Sequence, residues 1–160
     1  MNKQISYSIV WKLYRFEELS TAVLYELLRL RAEVFVVEQN CPYQDLDGLD
    51  DHSFHLLGWS SNGDLAAYAR IFPVGVNAEE SDKEPHGGMG RVVVAEKYRG
   101  IGHELINKAL EMYDEVVGKS YPCVIHAQAH LKHFYKSHGF IQTSDIFLLD
   151  GIEHIEMRRE

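Results

Sequence analysis

Residues 91–106, "RVVVAEKYRGIGHELI", decide the fold because they join a strand to a helix through glycines. The first six residues form a largely apolar, β-branched run, which predicts a short buried central strand. A glycine loop carrying Arg99 follows, and an amphipathic helix begins at Gly100 to Gly102 and ends near Gly118. Glycines let the backbone approach a ligand closely, and the unpaired amides of a first helical turn favour phosphate. The junction therefore predicts an anion-binding site.

The same junction does not predict a dinucleotide site. That fingerprint needs a third glycine and an acidic residue further along a βαβ unit, and neither is found in this sequence. A bare G-x-G is also weak by itself, because glycines often serve as plain loop residues before helices. The class of phosphate ligand is left open by these residues.

The segments on either side of the junction predict one mixed sheet covered by helices. An alternating stretch that ends near Arg15 predicts the first strand, and apolar residues at helical spacing predict a helix over about residues 20–37. The dipeptides Asn62-Gly63 and Asp150-Gly151 predict two hairpin turns. The other predicted elements are a surface loop at 74–90, a strand at 121–129 and a short helix at 130–140.

Length and charge bound the class of protein. A chain of 160 residues fits one domain, and we expect residues 1–160 to form it. The formal net charge of −8 disfavours nucleic acid, whose phosphates need Lys and Arg. No apolar run approaches the roughly 18–20 residues that cross a bilayer, and Cys41 and Cys123 lack metal-type spacing. We therefore expect a cytoplasmic protein with reduced thiols that binds neither nucleic acid nor membrane.

The stretch "VVEQNCPYQDLDGLDDH", residues 36–52, concentrates carboxylates, and no Lys or Arg occurs between Arg31 and Arg70. A calcium loop needs glycine at its sixth position, whereas Gly48 is fourth when counted from Asp45, so that interpretation fails. A hydrolase with paired carboxylates would leave the glycine loop unexplained. The histidines of residues 126–138 lack a zinc motif, and we expect no metal site.

Two interpretations of the acidic stretch remain. Glu38, Asp45 and Asp47 could line an entrance that attracts an ammonium-bearing acceptor. The stretch could instead be a loop anchored by Arg31, whose charge interrupts an apolar helix face and needs a carboxylate partner. Both interpretations can hold at once.

Several motifs together resemble a known family. "VVVAEKYRGIGHELINKAL" resembles the acetyl-CoA signature of the GNAT N-acetyltransferases, and "AQAHLKHFYKSHGFI" resembles their later segment with a Tyr shortly before Gly-Phe. "LRAEVFVVEQNCPYQDLDGLDDHSFHLLGW", "GRVVV" and "DGIEHIEM" look like the ElaA-type subfamily, and the match spans about residues 20–158. The resemblance implies an α/β (α+β) fold, a strongly bent mixed sheet of six to seven strands flanked by about four helices. Strands four and five would splay apart into a V-shaped slot.

The resemblance also implies an acetyl-CoA site. The backbone of Val92, Val93 and Val94 would meet pantetheine, Gln128 stands where many relatives have Asn, and Tyr135 falls where the family keeps the acid that protonates the thiolate. Gly100, Ile101 and Gly102 would hold the pyrophosphate. The loop is about two residues shorter than the family pattern, so either Lys97 or Arg99 fills its basic position.

The acceptor side is predicted from fewer signals. His154 alternates with Ile155 and Met157, which directs it to the opposite face of the sheet and toward the cleft. Glu38 is the other candidate for taking the proton of the amine, through water. Without the family resemblance, Tyr135 beside Phe134 would be interpreted as an aromatic core residue.

These observations predict an enzyme that moves an acetyl group from acetyl-CoA directly to a primary amine, on a small molecule or a protein. The alternative is a non-catalytic acyl-CoA-binding or regulatory module on the same fold. A third, weaker possibility is an acyl-homoserine-lactone synthase, whose family the R-x-x-V-F stretch at residues 31–35 resembles. Edge strands near residues 145–158 could pair two chains into a homodimer.

Overall fold

Eight strands and three α-helices make up the computed structural model, which describes residues 6–160. The strands are β1 Ile9–Arg15, β2 Phe54–Ser60, β3 Leu65–Phe72, β4 Gly87–Val94, β5 Cys123–Gln128, β6 Ile141–Gln142, β7 Phe147–Leu149 and β8 Ile152–Arg159. The helices are α1 Thr21–Arg31, which continues as a π-helix over Ala32–Glu38, α2 Gly102–Val116 and α3 Lys132–Lys136.

All eight strands belong to one mixed sheet. Its order is β1-β2-β3-β4-β5-β8-β6, and β7 pairs with β8 beside β6. The pairing is antiparallel everywhere except between β4 and β5, which run parallel. The predicted fold class is confirmed. The strand count exceeds the expected six to seven because β6 and β7 are short separate strands on the outer edge of β8, and three α-helices are present where about four were expected.

The two faces of the sheet are covered by different helices. Strand residues alternate between faces, so Leu56 and Ile71 pack in the cluster that contains α2, whereas Leu57 and Tyr68 pack in the cluster that contains α1. The predicted amphipathic helix is α2, and its buried face consists of Leu105, Ile106, Ala109, Leu110 and Tyr113.

Strands β4 and β5 are paired at one end only. Their register contains Gly87 opposite Cys123 and Gly88 opposite Val124, and no later pair. A Cβ atom at Gly88 would lie against the carbonyl oxygen of Val124, so glycine is what allows the two backbones to meet there. Beyond this point β4 pairs only with β3, and a slot opens between β4 and β5. The predicted loop at 74–90 was therefore wrong for Gly87–Gly90, which form the start of β4.

A bulge interrupts β4 inside the slot. Arg70 pairs with Gly90 and Tyr68 pairs with Val93, so Arg91 and Val92 together oppose one residue of β3. Arg91 has a φ of 51°, in the left-handed region that few residues other than glycine adopt. Such bulges redirect side chains next to functional sites.

The two predicted hairpins differ in their turns. Asp150 and Gly151 both have positive φ values, 52° and 77°, as a two-residue type I′ turn requires, which confirms the prediction. At Asn62-Gly63 the strands end at Ser60 and resume at Leu65, so four residues connect them instead of two. Ser60 closes this longer turn by accepting a hydrogen bond from the Gly63 amide at 3.0 Å.

Candidate active site

A cavity of about 260 Å³ lies where β4 and β5 separate. Strand β4 contributes its bulge, β5 its last four residues, and α3 closes one end with Tyr135. The segment after the π-helix and the β7–β8 hairpin form the other side. The lining residues are Phe35, Gln39, Cys41, Tyr43, Met89, Gly90, Arg91, Val92, Ile125, His126, Ala127, Gln128, His130, Leu131, Tyr135, Leu149, Asp150, Ile152 and His154.

Tyr135 presents a phenol to this cavity. The residue is 7 % exposed and packs edge-on against Phe134 and Phe140, with ring centroids 5.1 and 5.9 Å away. Burial raises the pKa of Tyr135 to about 12, so the phenol stays protonated at neutral pH. Its hydroxyl bonds to no other residue within 6–160, and it is not fully buried. The hydroxyl is thus available to a ligand in the cavity.

His154 lines the same cavity from β8, opposite Gln128 of β5. Its Nδ1 atom lies 2.8 Å from the carbonyl oxygen of Ile152. A carbonyl can only accept, so Nδ1 carries the proton and Nε2 of the neutral ring keeps its lone pair. Phe147 stacks on the imidazole with centroids 6.1 Å apart. The ring is therefore fixed in the tautomer that a proton acceptor needs.

Glu38 and Gln39 attach the end of the π-helix to both sides of the slot. Glu38 receives two hydrogen bonds of 2.8 Å from Nη2 of Arg99, while Nε of Arg99 donates to the carbonyl oxygen of Val94 at 2.9 Å. Gln39 accepts from Nε2 of Gln128 at 3.2 Å. Glu38 does not line the cavity, whereas Gln39 does. The carboxylate of Glu38, a candidate for proton relay, is thus already bound by Arg99.

The predicted phosphate loop leaves backbone donors unpaired. The first helical bond of α2 runs from the Leu105 amide to the Ile101 carbonyl, so the amides of residues 102–104 find no acceptor among the described residues. Gly100 has a φ of 114°, which a residue with a side chain adopts only with strain, and nothing lies within 4 Å of where its Cβ would be. Open space and free donors at the start of a 15-residue helix fit a phosphate group.

The basic residues of this loop have protein partners. Lys97 is exposed and binds Asp64 at 3.0 Å, and Arg99 is held by Glu38 and Val94 as described. Of the three valines, Val92 lines the cavity, Val93 is buried under α1, and Val94 offers the carbonyl that Arg99 occupies. Of the predicted coenzyme residues, Val92, Gln128 and Tyr135 line the cavity. Lys97 and Arg99 both stay candidates for the phosphate partner.

Most of the acidic stretch forms a buried ion-pair network. Arg31, fully buried, donates to Asp45 at 2.9 Å and to Asp50 at 2.7 Å. Arg70 binds Asp47 at 2.6 Å and Asp50 at 2.8 Å. The interpretation of a loop anchored by Arg31 is confirmed.

The interpretation of an acidic entrance needs correction, because the carboxylates are not free to attract a cation. Arg91, brought close by the β4 bulge, adds ion pairs to Asp45 at 2.8 Å and to Asp47 at 3.3 Å. Three arginines thus meet three aspartates, Asp45, Asp47 and Asp50, and the pairs balance in charge. Neither Asp45 nor Asp47 lines the cavity.

The network shifts several pKa values. Burial alone would raise the pKa of Asp47, but the hydrogen bond from Arg70 lowers it to about 2. The pKa of Asp50 is lowered in the same way by Arg31, against its burial. The pKa of His55 is lowered because the ring is buried, and its two nitrogens bond the Tyr68 hydroxyl and the Asp50 carbonyl. The ionised carboxylates and the neutral imidazole are therefore part of the native state.

Most of the residues that line the cavity were not among the predicted site residues. Arg91, Tyr43 and Cys41 line it, and Cys41 donates to the Asp150 carbonyl at 3.5 Å, which joins the loop to the β7–β8 hairpin. Arg91 follows a glycine at the start of the valine run, but sequence alone does not show that a bulge turns its side chain toward residue 45.

Residues 6–160 contain neither a membrane-spanning helix nor a cluster of metal-binding side chains. No helix in this part of the chain is both long and apolar enough to cross a membrane. No group of three or more His, Cys, Asp or Glu side chains is arranged there to hold a metal ion.

Comparison with known proteins gives extensive matches. A family profile described as "Acetyltransferase (GNAT) domain" matches residues 26–160. Protein ElaA of Escherichia coli K12 is 46 % identical over 156 residues, covering 95 % of this chain and 97 % of ElaA. The crystal structure of E. coli ElaA superposes with a TM-score of 0.82 at 45 % identity, covering 96 % of this chain and 100 % of that one.

Two further solved structures match at different distances. An acyl-CoA N-acyltransferase from Pseudomonas aeruginosa has a TM-score of 0.83 and 39 % identity, and the match covers 96 % of this chain and all of that one. The acyl-homoserine-lactone synthase LasI has a TM-score of 0.73 but 17 % identity, with 96 % and 90 % covered, which shows a shared fold alone. The extent of the closer matches decides the family: the chain belongs to the GNAT acetyltransferases, in their ElaA-type subfamily.

Proposed function

We propose that the protein is an acetyl-CoA-dependent N-acetyltransferase that acts on a primary amine by direct transfer. One observation carries the proposal. The phenol of Tyr135, which burial keeps protonated, and the imidazole of His154, whose Nδ1 donates to the Ile152 carbonyl, line a single cavity at the point where β4 and β5 separate. Aminolysis of a thioester requires both an acid and a base, and here both line one cavity.

The residues of the slot fit an acyl-CoA. The amides at the start of α2 and the open space at Gly100 suit the pyrophosphate. The edge of β4 from Val92 to Val94, unpaired toward β5, would offer backbone groups to the pantetheine arm and a donor for the thioester oxygen. Gln128 would reach the arm after releasing Gln39. When bound, the coenzyme supplies an activated acetyl carbonyl and a thiolate leaving group.

Each protein group then has a defined role in moving protons. Nε2 of His154 takes a proton from the acceptor's ammonium, directly or through water, and so exposes the nitrogen lone pair. As the amide bond forms and the C–S bond breaks, the Tyr135 hydroxyl gives its proton to sulfur. The second proton of the amine nitrogen leaves at the same stage and restores the phenol, directly or through water, and His154 returns the first proton to solvent. Glu38 is a weaker candidate for the base, because Arg99 already binds both its oxygens.

Thiol release separates this proposal from a non-catalytic acyl-CoA-binding module. The purified protein is incubated with acetyl-CoA and a panel of amines, and free thiol and acetylated product are measured together. We expect stoichiometric appearance of both with at least one amine. Acetyl-CoA binding with no thiol release for any amine would favour the regulatory module instead.

The cytoplasmic location, the single domain over residues 1–160 and the pairing of two chains through residues 145–158 stay predictions from the sequence. We include them in the proposal as the setting in which the enzyme acts. Gel filtration with light scattering tests the pairing, because a homodimer has twice the mass of the 18.4 kDa chain.

A further inference from the structure

Two formally charged side chains line the cavity, and they carry opposite charges. Arg91 belongs to the β4 bulge, and Asp150 lies in the β7–β8 turn. The remaining lining residues are apolar, amide, hydroxyl, thiol or imidazole groups. The cavity therefore offers one cation and one anion to whatever enters it, together with His154.

Arg91 has donors left over after its structural contacts. Nε donates to Asp45 Oδ1 at 2.8 Å, and Nη2 donates to the Asp45 carbonyl at 3.0 Å and to Asp47 at 3.3 Å. Nη1 bonds to no residue in the described part of the chain. It is not fully buried, so solvent reaches it. The side chain is 22 % exposed and its guanidinium lies 5.5 Å from the ring centre of Tyr43, another lining residue.

The structural contacts also hold Arg91 rigidly. Asp45, which receives Nε, is itself fixed by Arg31 at 2.9 Å and by the Tyr43 hydroxyl at 2.9 Å. A guanidinium held in place loses little conformational entropy when it binds an anion, and hydrogen bonds from a charged donor to a carboxylate are among the stronger ones in proteins.

We propose that the acceptor is an amino-acid-like molecule, a primary amine that also carries a carboxylate, and that Arg91 receives this carboxylate through Nη1. The ammonium group then faces Asp150 and His154, which line the same cavity. A cavity of about 260 Å³ suits a small molecule better than a folded protein surface. This inference rests on the proposed function and names its acceptor class, and it excludes polyamines as preferred acceptors.

The first experiment compares matched acceptors on the wild-type protein. Each set contains an amino acid, its carboxamide and the amine that lacks the carboxyl group, with ω-amino acids of increasing length and a polyamine added. We expect kcat/KM to be at least about tenfold higher for the acid than for its amide, as for a charge-assisted hydrogen bond. The amide has the more acidic ammonium, so intrinsic reactivity works against this expectation. Equal or better use of the amide or the polyamine would overturn the inference.

The second experiment assigns the preference to Arg91. In Arg91→Gln the ratio of kcat/KM for acid over amide is expected to fall toward one, while the affinity for acetyl-CoA stays at the wild-type value. Arg29→Gln on the exposed face of α1 is the matched control and keeps the ratio. If Arg91→Gln does not fold, Arg91→Lys serves, because a shorter reach with a single ammonium should reduce the ratio without removing the charge near Asp45. An unchanged ratio in a folded variant contradicts the assignment.

A binding measurement keeps this inference separate from the proposed function. Calorimetric titration of the wild-type protein, saturated with CoA, with the acid and with its carboxamide requires no turnover. Tighter binding of the acid without any thiol release would support the acceptor class and refute the enzyme. Thiol release with no preference for the acid would support the enzyme and refute the acceptor class.

Discussion

The proposed chemistry depends most on the hydroxyl group of Tyr135. Tyr135→Phe removes only this oxygen and leaves the ring between Phe134 and Phe140. We expect kcat to fall by about 10²-fold or more, as for loss of a general acid, while acetyl-CoA affinity is retained. Steady-state thiol release and calorimetry check the two quantities. Tyr25→Phe, which changes an exposed tyrosine on α1, is the control; turnover as high in Tyr135→Phe as in this control would return Tyr135 to a packing role.

The lowered pKa of His55 makes the free energy of unfolding depend on pH. Its native pKa lies below the ordinary value of about 6.5, so the native ring stays neutral while the unfolded chain takes up a proton. The unfolded state therefore binds more protons below about pH 6.5, and the free energy of unfolding falls as pH drops from 7 to 5. Asp47, with a native pKa of about 2, contributes its own loss only below about pH 4.

Urea unfolding at a series of pH values measures this slope. The lowered pKa of His138 adds a contribution of the same sign. His55→Gln should be less stable at pH 7 but show a shallower slope between pH 7 and 5. The exposed His52→Gln should keep the wild-type slope. A His55→Gln slope as steep as that of His52→Gln would rule out a neutral buried His55 as its source.

At the residue scale, the sequence predicted which side chain is a buried charge better than it predicted that side chain's partners. Arg31 was recognisable as a buried cation because it interrupted an apolar helical stripe, and its partners proved to be Asp45 and Asp50. The acidic entrance was misjudged because charge was counted along the chain. Arg91 is 46 residues from Asp45 in sequence and 2.8 Å from it in the structure. A non-local ion pair of this kind leaves no local pattern.

At the scale of elements, the junction from β4 to α2 was predicted almost completely. Helix α2 begins at Gly102 and ends at Val116, shortly before Gly118, whose φ of 104° is typical of a helix C-terminus. The start of β4 was missed because Gly87 and Gly88 look like loop residues, although the lack of a side chain at Gly88 is what lets β5 approach. The strand propensity of a residue reflects its own backbone preference and does not show which strand will pack beside it.

Gly100 tests the loop as a phosphate site. Gly100→Asp places a negative charge beside the unpaired amides of α2, and we expect the Kd for acetyl-CoA to rise by at least about tenfold because the carboxylate repels and displaces the phosphate. Gly75→Asp is a close control, since Gly75 also has a positive φ, 86°, and open space around it. It reproduces the backbone strain away from the slot. Equal affinities in the two variants would move the coenzyme elsewhere.

At the scale of the whole molecule, the sheet brings together residues from distant parts of the chain. Arg91 comes from β4, Tyr135 from α3 and His154 from β8, and all three meet because β4 and β5 separate after two residue pairs. The mixed sheet was predictable from the order of elements and from the family resemblance. The cavity's charges were not, because they depend on the bulge in β4 and on which carboxylates the arginines neutralise.

Calorimetric titration of the purified protein with acetyl-CoA tests the central claim, that this slot is a working acyl-CoA site. The basic residues of the loop are paired with carboxylates, so binding rests on the free amides of α2 and the open edge of β4. We predict saturable binding with one coenzyme per chain. A titration without saturable heat, with the protein shown to be folded, would contradict the account.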